Sequence, residues 1–388
     1  MLRLDDLGES MERSLNMHDM DSTYRQEGVS VSHTHMRIEG EEIYMSVHEK
    51  DLIVEKRIGQ GACSAVFRAR HKRHGEKYAL KMFNVFDRER RQQLQSEIRM
   101  LSRIQCDSLI AFYGAYLKEG NIVIILEYMD RGSLEFIKNP DVQITEEAMA
   151  GISYQIMWGL AYLHFEHKIH RDIKPGNVLI NSKGAVKLSD FGISRDMDST
   201  SALTSTSVGT FKYMSHDRLM GGDYDTSSDL WSVGIMLIEL WEKKYPFEEC
   251  SSSPIELVQI IEENKNLKDH IVHKSKYKPE MRQFVQSLVE LKPSRRATAS
   301  DCLTSPWFTL WSLDSLDAAQ EATEAWIQTL GSPEEQSIEE DDYDDEDELM
   351  SMSISGSMNM NKPRYQQEDS YDDEIDEGWS KNEGKFYK

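Results

Sequence analysis

Cysteine is scarce. The 388 residues hold four, Cys63, Cys106, Cys250 and Cys302, far apart and with no Cys-x-x-Cys among them. That pattern excludes a small disulfide-stapled secreted domain and gives no zinc site, so the thiols are expected to stay reduced, in the cytoplasm or the nucleus. Long apolar runs are missing too. No stretch of 18 apolar residues occurs, which leaves no helix to span a membrane, and Met1-Leu2-Arg3-Leu4-Asp5-Asp6 turns acidic before a signal-peptide core can form. Basic charge is in deficit: 45 Lys and Arg against 68 Asp and Glu give a formal net charge of -23, which disfavours nucleic acid as a partner. These absences leave a soluble chain, expected to be a monomer, with no membrane or nucleic-acid partner.

The negative charge is unevenly placed. Residues 332–388 carry 19 acidic and 5 basic residues, and 11 of the 15 residues from 334 to 348 are acidic with no basic one among them. A segment that repels itself this strongly and has few large apolar groups is expected to be a disordered tail. Residues 1–48 are polar and rich in Met, Ser and Asp, and are also expected to be mostly disordered, with Ile38, Ile43, Met45 and Val47 adding at most one edge strand.

From Leu52 the pattern changes to short β-branched and apolar runs broken by glycine, which predicts a strand hairpin through Gly59-Gln60-Gly61. A strand over 77–83 delivers Lys81. Leu94, Ile98, Leu101 and Ile104 share one face of a helix predicted over 87–104, with Glu97 beside that stripe and placed to reach Lys81. The apolar run 121–126 predicts a buried strand leading into Glu127-Tyr128-Met129-Asp130, after which Ser133 is placed to cap a short helix. Helical spacing of Ile152, Ile156, Leu160 and Leu163 predicts a long helix, and 229–241, apolar nearly all round, a fully buried one. Further helices are expected over 254–264, 279–291 and 299–308. Beyond them, Leu313, Leu316, Thr323, Trp326, Ile327 and Leu330 predict an amphipathic helical extension at 311–331. That extension either packs on the body of the fold or serves as a docking helix for a partner protein.

The chemistry lies between the two long helices. Ile169-His170-Arg171-Asp172-Ile173-Lys174-Pro175-Gly176-Asn177 is followed by Asp190-Phe191-Gly192. Two carboxylates and an amide at these spacings suit phosphoryl transfer: Asp172 accepts the proton of the incoming hydroxyl, Asn177 and Asp190 hold Mg2+ on the nucleotide phosphates, and Lys174 steadies the transferring group. Gly59 and Gly61 let backbone amides approach phosphates with no Cβ in the way.

Together these motifs resemble the eukaryotic protein-kinase family, and Lys174 points to its serine/threonine or dual-specificity members. The resemblance implies an α+β, two-lobed protein kinase fold, with a small mainly β N-lobe carrying one helix (49–127) and a larger mainly α C-lobe (131–310). It implies an ATP site formed by Ile58, Gly59, Gly61, Ser64, Val66, Ala79, Lys81, Glu127 and Met129, with Ser64 standing where the family has a third glycine. In this reading Lys81 grips the phosphates and Glu97 fixes Lys81. Asp229 is implied to rest against the backbone of the catalytic loop. Val85 to Leu94, Leu126-Glu127-Tyr128-Met129-Asp130, Asp190-Phe191-Gly192-Ile193-Ser194 and Val208-Gly209-Thr210 take the resemblance further, to MAP kinase kinases of plant and protist type.

That implies a dual-specificity enzyme acting on the Thr and Tyr of a MAP kinase activation loop, with ATP and Mg2+ as cofactors, itself switched on by an upstream MAP kinase kinase kinase. The plant-type spacing of phosphosites falls on Thr200 and Thr206 in the hydroxyl-rich segment before Val208. The chain departs from the family's Met-Ser-Pro-Glu-Arg at Met214-Ser215-His216-Asp217-Arg218, where Asp217 would have to reach Arg296 with a shorter side chain. The rival readings are a MAP kinase kinase kinase, which lacks support from the segments just quoted, and a pseudokinase scaffold, which would be expected to lack one of Lys81, Glu97, Asp172, Asn177 and Asp190.

Overall fold

The computed structural model describes residues 23–26, 29–32, 34, 36–60, 64–84, 94, 97–190, 210–222, 225–247, 253–263 and 277–331. Among them the architecture has two lobes. The smaller is a five-stranded antiparallel sheet in the order β5-β6-β7-β9-β8, formed by β5 (Leu52–Gln60), β6 (Ser64–His71), β7 (Lys77–Asn84), β8 (Phe112–Lys118) and β9 (Asn121–Glu127). Alternation along β7 turns Tyr78 and Leu80 into the sheet's own core and leaves Ala79 and Lys81 on the opposite face. Leu94 and residues 97–101 are helical, and Leu94, Ile98 and Leu101 are buried as their spacing predicts. We call residues 97–101 α1; residues 87–93 of the predicted helix lie outside the described residues.

The expectation of a mostly disordered segment over residues 1–48 is corrected for its second half; residues 1–22 lie outside the described residues. Four three-residue strands, β1 (Tyr24–Gln26), β2 (Val29–Val31), β3 (Met36–Ile38) and β4 (Glu41–Ile43), form an antiparallel meander. Val29 pairs with Ile38 and Val31 with Met36, so these four apolar side chains share one face. All four are buried in the same core as Leu94, Ile98, Leu117 and Ile122. A composition count over 48 polar residues hides this face, because it is made of single apolar residues alternating with polar ones. Ile38 and Ile43 fall in two different strands, while Met45 and Val47 follow the meander and pack where Gly114 (φ +156) leaves room.

The larger lobe is built on two helices, α2 (Glu146–Phe165) and α3 (Thr226–Glu242). Thr145 caps α2 by accepting the Ala148 N–H at 3.1 Å, and Asp225 caps α3 by accepting from Ser227 and Ser228. Nearly all of α3 from Ser228 to Leu240 is buried. Helices α4 (Pro254–Glu263) and α5 (Pro279–Leu288) follow. The helix expected over 299–308 is instead two short ones, Ala299–Cys302 and Pro306–Leu310. Pro306 can begin a helix but not continue one, and Ser305 caps the second piece by accepting the Trp307 N–H.

The extension forms α6 (Leu316–Thr329), which packs on α2. The approach is close: a Cβ at Gly151 would come within 2.6 Å of the Ala319 carbonyl oxygen. Ala319, Thr323, Trp326 and Ile327 are buried, Trp326 Nε1 donates to the Gln143 carbonyl at 2.8 Å, and its ring stacks on Phe136. The apolar face of α6 is therefore occupied by its own lobe and is not presented to a docking partner.

Candidate active site

The hairpin of β10 (Val178–Ile180) and β11 (Val186–Leu188) carries the catalytic-loop motif at one end and Asp190 at the other. Its geometry is fixed from beneath. Gln155 of α2 accepts the Val186 N–H at 2.8 Å and donates to the Gly184 carbonyl at 3.1 Å and to Thr323 of α6 at 3.3 Å. The Ser189 N–H donates to the Asn177 carbonyl at 2.9 Å, which brings the two ends of the hairpin together.

Asp229 is nearly fully buried at the start of α3 and accepts three hydrogen bonds at 2.9 Å, from the His170 N–H, the Arg171 N–H and His164 Nε2. The first two place it against the catalytic-loop backbone. His164 as a third partner was not anticipated from the sequence; the signal available was its place in the last turn of α2, six residues before His170. The fixed loop keeps Arg171 at φ 69 and Asp190 at φ 53, a left-handed conformation that side chains other than glycine adopt at a cost. His170 is fully buried; burial holds its imidazole below the usual range, against the opposing pull of Asp229, Asp172 and Asp190.

Within the loop, Asp172 Oδ2 accepts from Lys174 Nζ at 2.8 Å and from Asn177 Nδ2 at 2.8 Å, and the same Asn177 amide donates to the Asp172 carbonyl. Facing them from the smaller lobe, Lys81 lies opposite Val66 on one side and Ile124 on the other. Its Nζ donates to Glu97 Oε1 at 2.8 Å and also contacts Asp190 Oδ1. Burial by itself would lower the Lys81 ammonium, but Glu97 and Asp190 outweigh it and hold the group above its ordinary value, so it stays charged. Burial and the nearby Asp190 raise the Glu97 carboxyl, opposed by Lys81. Asp190 is pulled below the usual carboxylate range: burial opposes this, but Lys81 prevails, helped by His170 and Lys174. Its side chain keeps 49% of its surface open against 7% for Glu97, so of the two carboxylates it is the better hydrated.

At the rear of the cleft, β9 runs into Glu127-Tyr128-Met129-Asp130, the hinge segment that joins the two lobes. The Glu127 N–H donates to the Ala111 carbonyl at 3.0 Å, so that group is not available to a ligand. The Glu127 carboxylate pairs with Lys187 at 2.9 Å, a contact absent from the sequence reading and hinted at only by a lysine inside the apolar β11. Asp130 accepts the Ser182 N–H at 2.7 Å and the Arg131 N–H donates to the Ile180 carbonyl, which tie the hinge to the β10–β11 hairpin. Ser133 stands at the N-cap of the 3-10 turn Leu134–Lys138, but its side chain makes no capping bond there. Instead its backbone bridges to Leu179.

Gly59 lies over Val66, and the Ile58 side chain is partly exposed on the same strand. Ser64 begins β6, and Ala79 and Met129 lie on β7 and in the hinge. Gly61, Phe191, Gly192, Thr200 and Thr206 lie outside the described residues.

Asp217 reaches Arg296 despite its shorter chain. Arg296 Nη2 lies 2.5 Å from Asp217 Oδ1, and its side chain is fully buried. It also donates to the Glu290 and Leu291 carbonyls and stacks over Trp231. His216, where the family has proline, lies 3.2 Å from Glu262 of α4.

A cleft whose floor holds an Asp-Lys-Asn cluster and a second aspartate, and whose roof holds a lysine that reaches a glutamate beside it and that aspartate across the cleft, is the arrangement of a protein kinase. The sequence matches the family described as "Protein kinase domain" over residues 52–308. Among curated proteins it is 36% identical over 281 residues to mitogen-activated protein kinase kinase 3 of Arabidopsis thaliana, covering 71% of this chain and 52% of that protein. It is 34% identical over 292 residues to mitogen-activated protein kinase kinase 2 of the same plant, covering 73% and 79%. Mitogen-activated protein kinase kinase 1c of Physcomitrium patens is 35% identical over 305 residues, covering 74% and 87%. The chain thus spans about half of the first relative and most of the other two. It belongs to the MAP kinase kinase family of eukaryotic protein kinases, and is an ATP-dependent protein kinase.

Proposed function

We propose that the protein is a MAP kinase kinase that transfers the γ-phosphate of ATP to the Thr and Tyr of a MAP kinase activation loop, and that an upstream MAP kinase kinase kinase activates it at Thr200 and Thr206. The observation that carries this reading is the convergence on one cleft of Asp172, Lys174, Asn177 and Asp190 from the larger lobe and Lys81 and Glu97 from the smaller. Asp172 Oδ2, held by Lys174 and Asn177, is the group that accepts the proton of the acceptor hydroxyl as the hydroxyl oxygen bonds to the γ-phosphorus and the bond to the β–γ bridging oxygen breaks, releasing ADP. Lys81, kept charged and in place by Glu97, binds the α- and β-phosphates.

Asn177 and Asp190 offer hard oxygen donors on the cleft wall, and two such ligands completed by phosphate oxygens suit Mg2+. The ion, when bound, neutralises charge on the transferring phosphates. Names of the relatives support the substrate class, since each is called a kinase of MAP kinases. The test is phosphorylation of a panel of kinase-dead MAP kinases with site mapping. Paired phospho-Thr and phospho-Tyr within one activation loop is the result expected; phosphate placed only outside activation loops would overturn the substrate assignment.

A further inference from the structure

We propose that the N-terminal meander, β1 to β4, is a positioning element for catalysis that keeps Glu97 of α1 in register with Lys81. The inference rests on the reading of Lys81 and Glu97 as the phosphate-positioning pair. The meander precedes residue 52, where the kinase-domain match begins, so it is an addition to the shared catalytic unit.

Strands of three residues have too little surface to be stable alone, so the meander's order comes from what it docks on. It holds the lobe at two places. On the sheet side, the Leu117 N–H of edge strand β8 donates to the Ser32 carbonyl at 3.2 Å, and just after the meander the Ser46 N–H donates to the Tyr113 carbonyl at 3.1 Å. On the helix side, Glu39 in the β3–β4 turn pairs with Arg103, just past the end of α1, at 3.1 Å.

Between these anchors, Val31 and Met36 are fully buried in the core that also takes Leu94, Ile98 and Leu101. One face of the meander thus closes the core on which α1 rests. Glu97 lies on α1, and its carboxylate must stay within hydrogen-bonding distance of Lys81. Ile98 and Leu101 of the same helix are buried in that core, so the position of α1 is set by its packing. Loosening the meander frees α1 to shift and leaves the Lys81 ammonium to Asp190 alone. Glu127 and Met129, expected to contact ATP, lie on β9 and the segment after it and not on α1, so ATP binding should be disturbed less than turnover.

The test uses steady-state kinetics of the full-length chain with a kinase-dead MAP kinase or a generic basic protein substrate. Val31→Ala combined with Met36→Ala is expected to lower kcat at least tenfold while the KM for ATP changes less than threefold. Glu39→Arg, a surface change that does not threaten folding, is expected to lower kcat about threefold and to be restored by adding Arg103→Glu. Glu97→Gln is run beside them. If Glu97→Gln is impaired but the Val31/Met36 double variant, folded by circular dichroism, turns over like wild type, the meander is not a positioning element. A Glu39→Arg loss that Arg103→Glu fails to restore also overturns the proposal. Wild-type turnover in Glu97→Gln would instead show that the Lys81–Glu97 reading itself is wrong, and with it the role assigned to the meander.

Discussion

Replacing Asp217 by Ala removes the only carboxylate within ion-pair distance of Arg296 among the described residues. Arg296 is fully buried, held from the other side by two carbonyls and the Trp231 ring, so it cannot swing out to water. Breaking a buried pair by deleting one partner costs about 3–5 kcal/mol, because a desolvated charge is left uncompensated. The remaining carbonyl acceptors, including that of Ser227 at 3.3 Å, offset part of this and place the loss near the lower end, about 3 kcal/mol. For a catalytic unit of this size that corresponds to a melting temperature lower by roughly 6–12 °C. Because the guanidinium is buried, the shift should change little between 0.05 and 0.5 M salt, unlike that of an exposed pair. Differential scanning calorimetry of wild type and variant at pH 7 reads it directly. A shift under about 2 °C would refute the reasoning and mean that Asp217 does not carry the charge balance of this site.

Three further outcomes are expected. Gly184→Ala should destabilise by about 3 kcal/mol, since Gly184 sits at φ +75 and a Cβ there would lie 2.4 Å from the backbone of both Gln320 and Glu324; a thermal melt matching wild type would show that α6 is not seated on this turn. Burial, with Asp301 beside it, pushes the Cys302 thiol up to about 12, so iodoacetamide at pH 8 should leave Cys302 unmodified in the native protein and alkylate it in urea, as read by peptide mass spectrometry. Thr200→Ala with Thr206→Ala should block activation by an upstream kinase, whereas acidic replacements at both should raise basal activity partway; full activation of the alanine double variant would move the switch to other hydroxyls.

The parts of this molecule legible in the sequence were those whose chemistry is contiguous. Asp172, Lys174 and Asn177 lie within six residues, so their spacing alone implied a shared site, and their mutual hydrogen bonds follow from one tight loop. The long helices were legible because 20 and 17 residues give many repeats of one period. The meander was not, because each strand is three residues long and contributes at most two inward side chains. Its fold depends on partners some 60 to 90 residues away, in α1 and β8, which local periodicity does not report. The helix at 311–331 was recognised by its stripe and its packing on the larger lobe was one of two readings, but the elements that receive it were not legible. That answer lay in Gly151 and Gly184, whose missing side chains make room for α6. The Asp217–Arg296 pair spans 79 residues, and only the structure shows that the shorter carboxylate still closes the gap.

Asp190 is proposed above as the metal-binding carboxylate of phosphate transfer, and that role carries the functional reading. It is tested most directly by the turnover of Asp190→Asn with Mg2+ and ATP, on a kinase-dead MAP kinase, beside wild type prepared identically. The substitution preserves shape and removes the charge proposed to hold the metal on the nucleotide phosphates, so kcat should fall by at least about a hundredfold while the melting temperature stays within a few degrees of wild type. Wild-type turnover in Asp190→Asn would contradict the account.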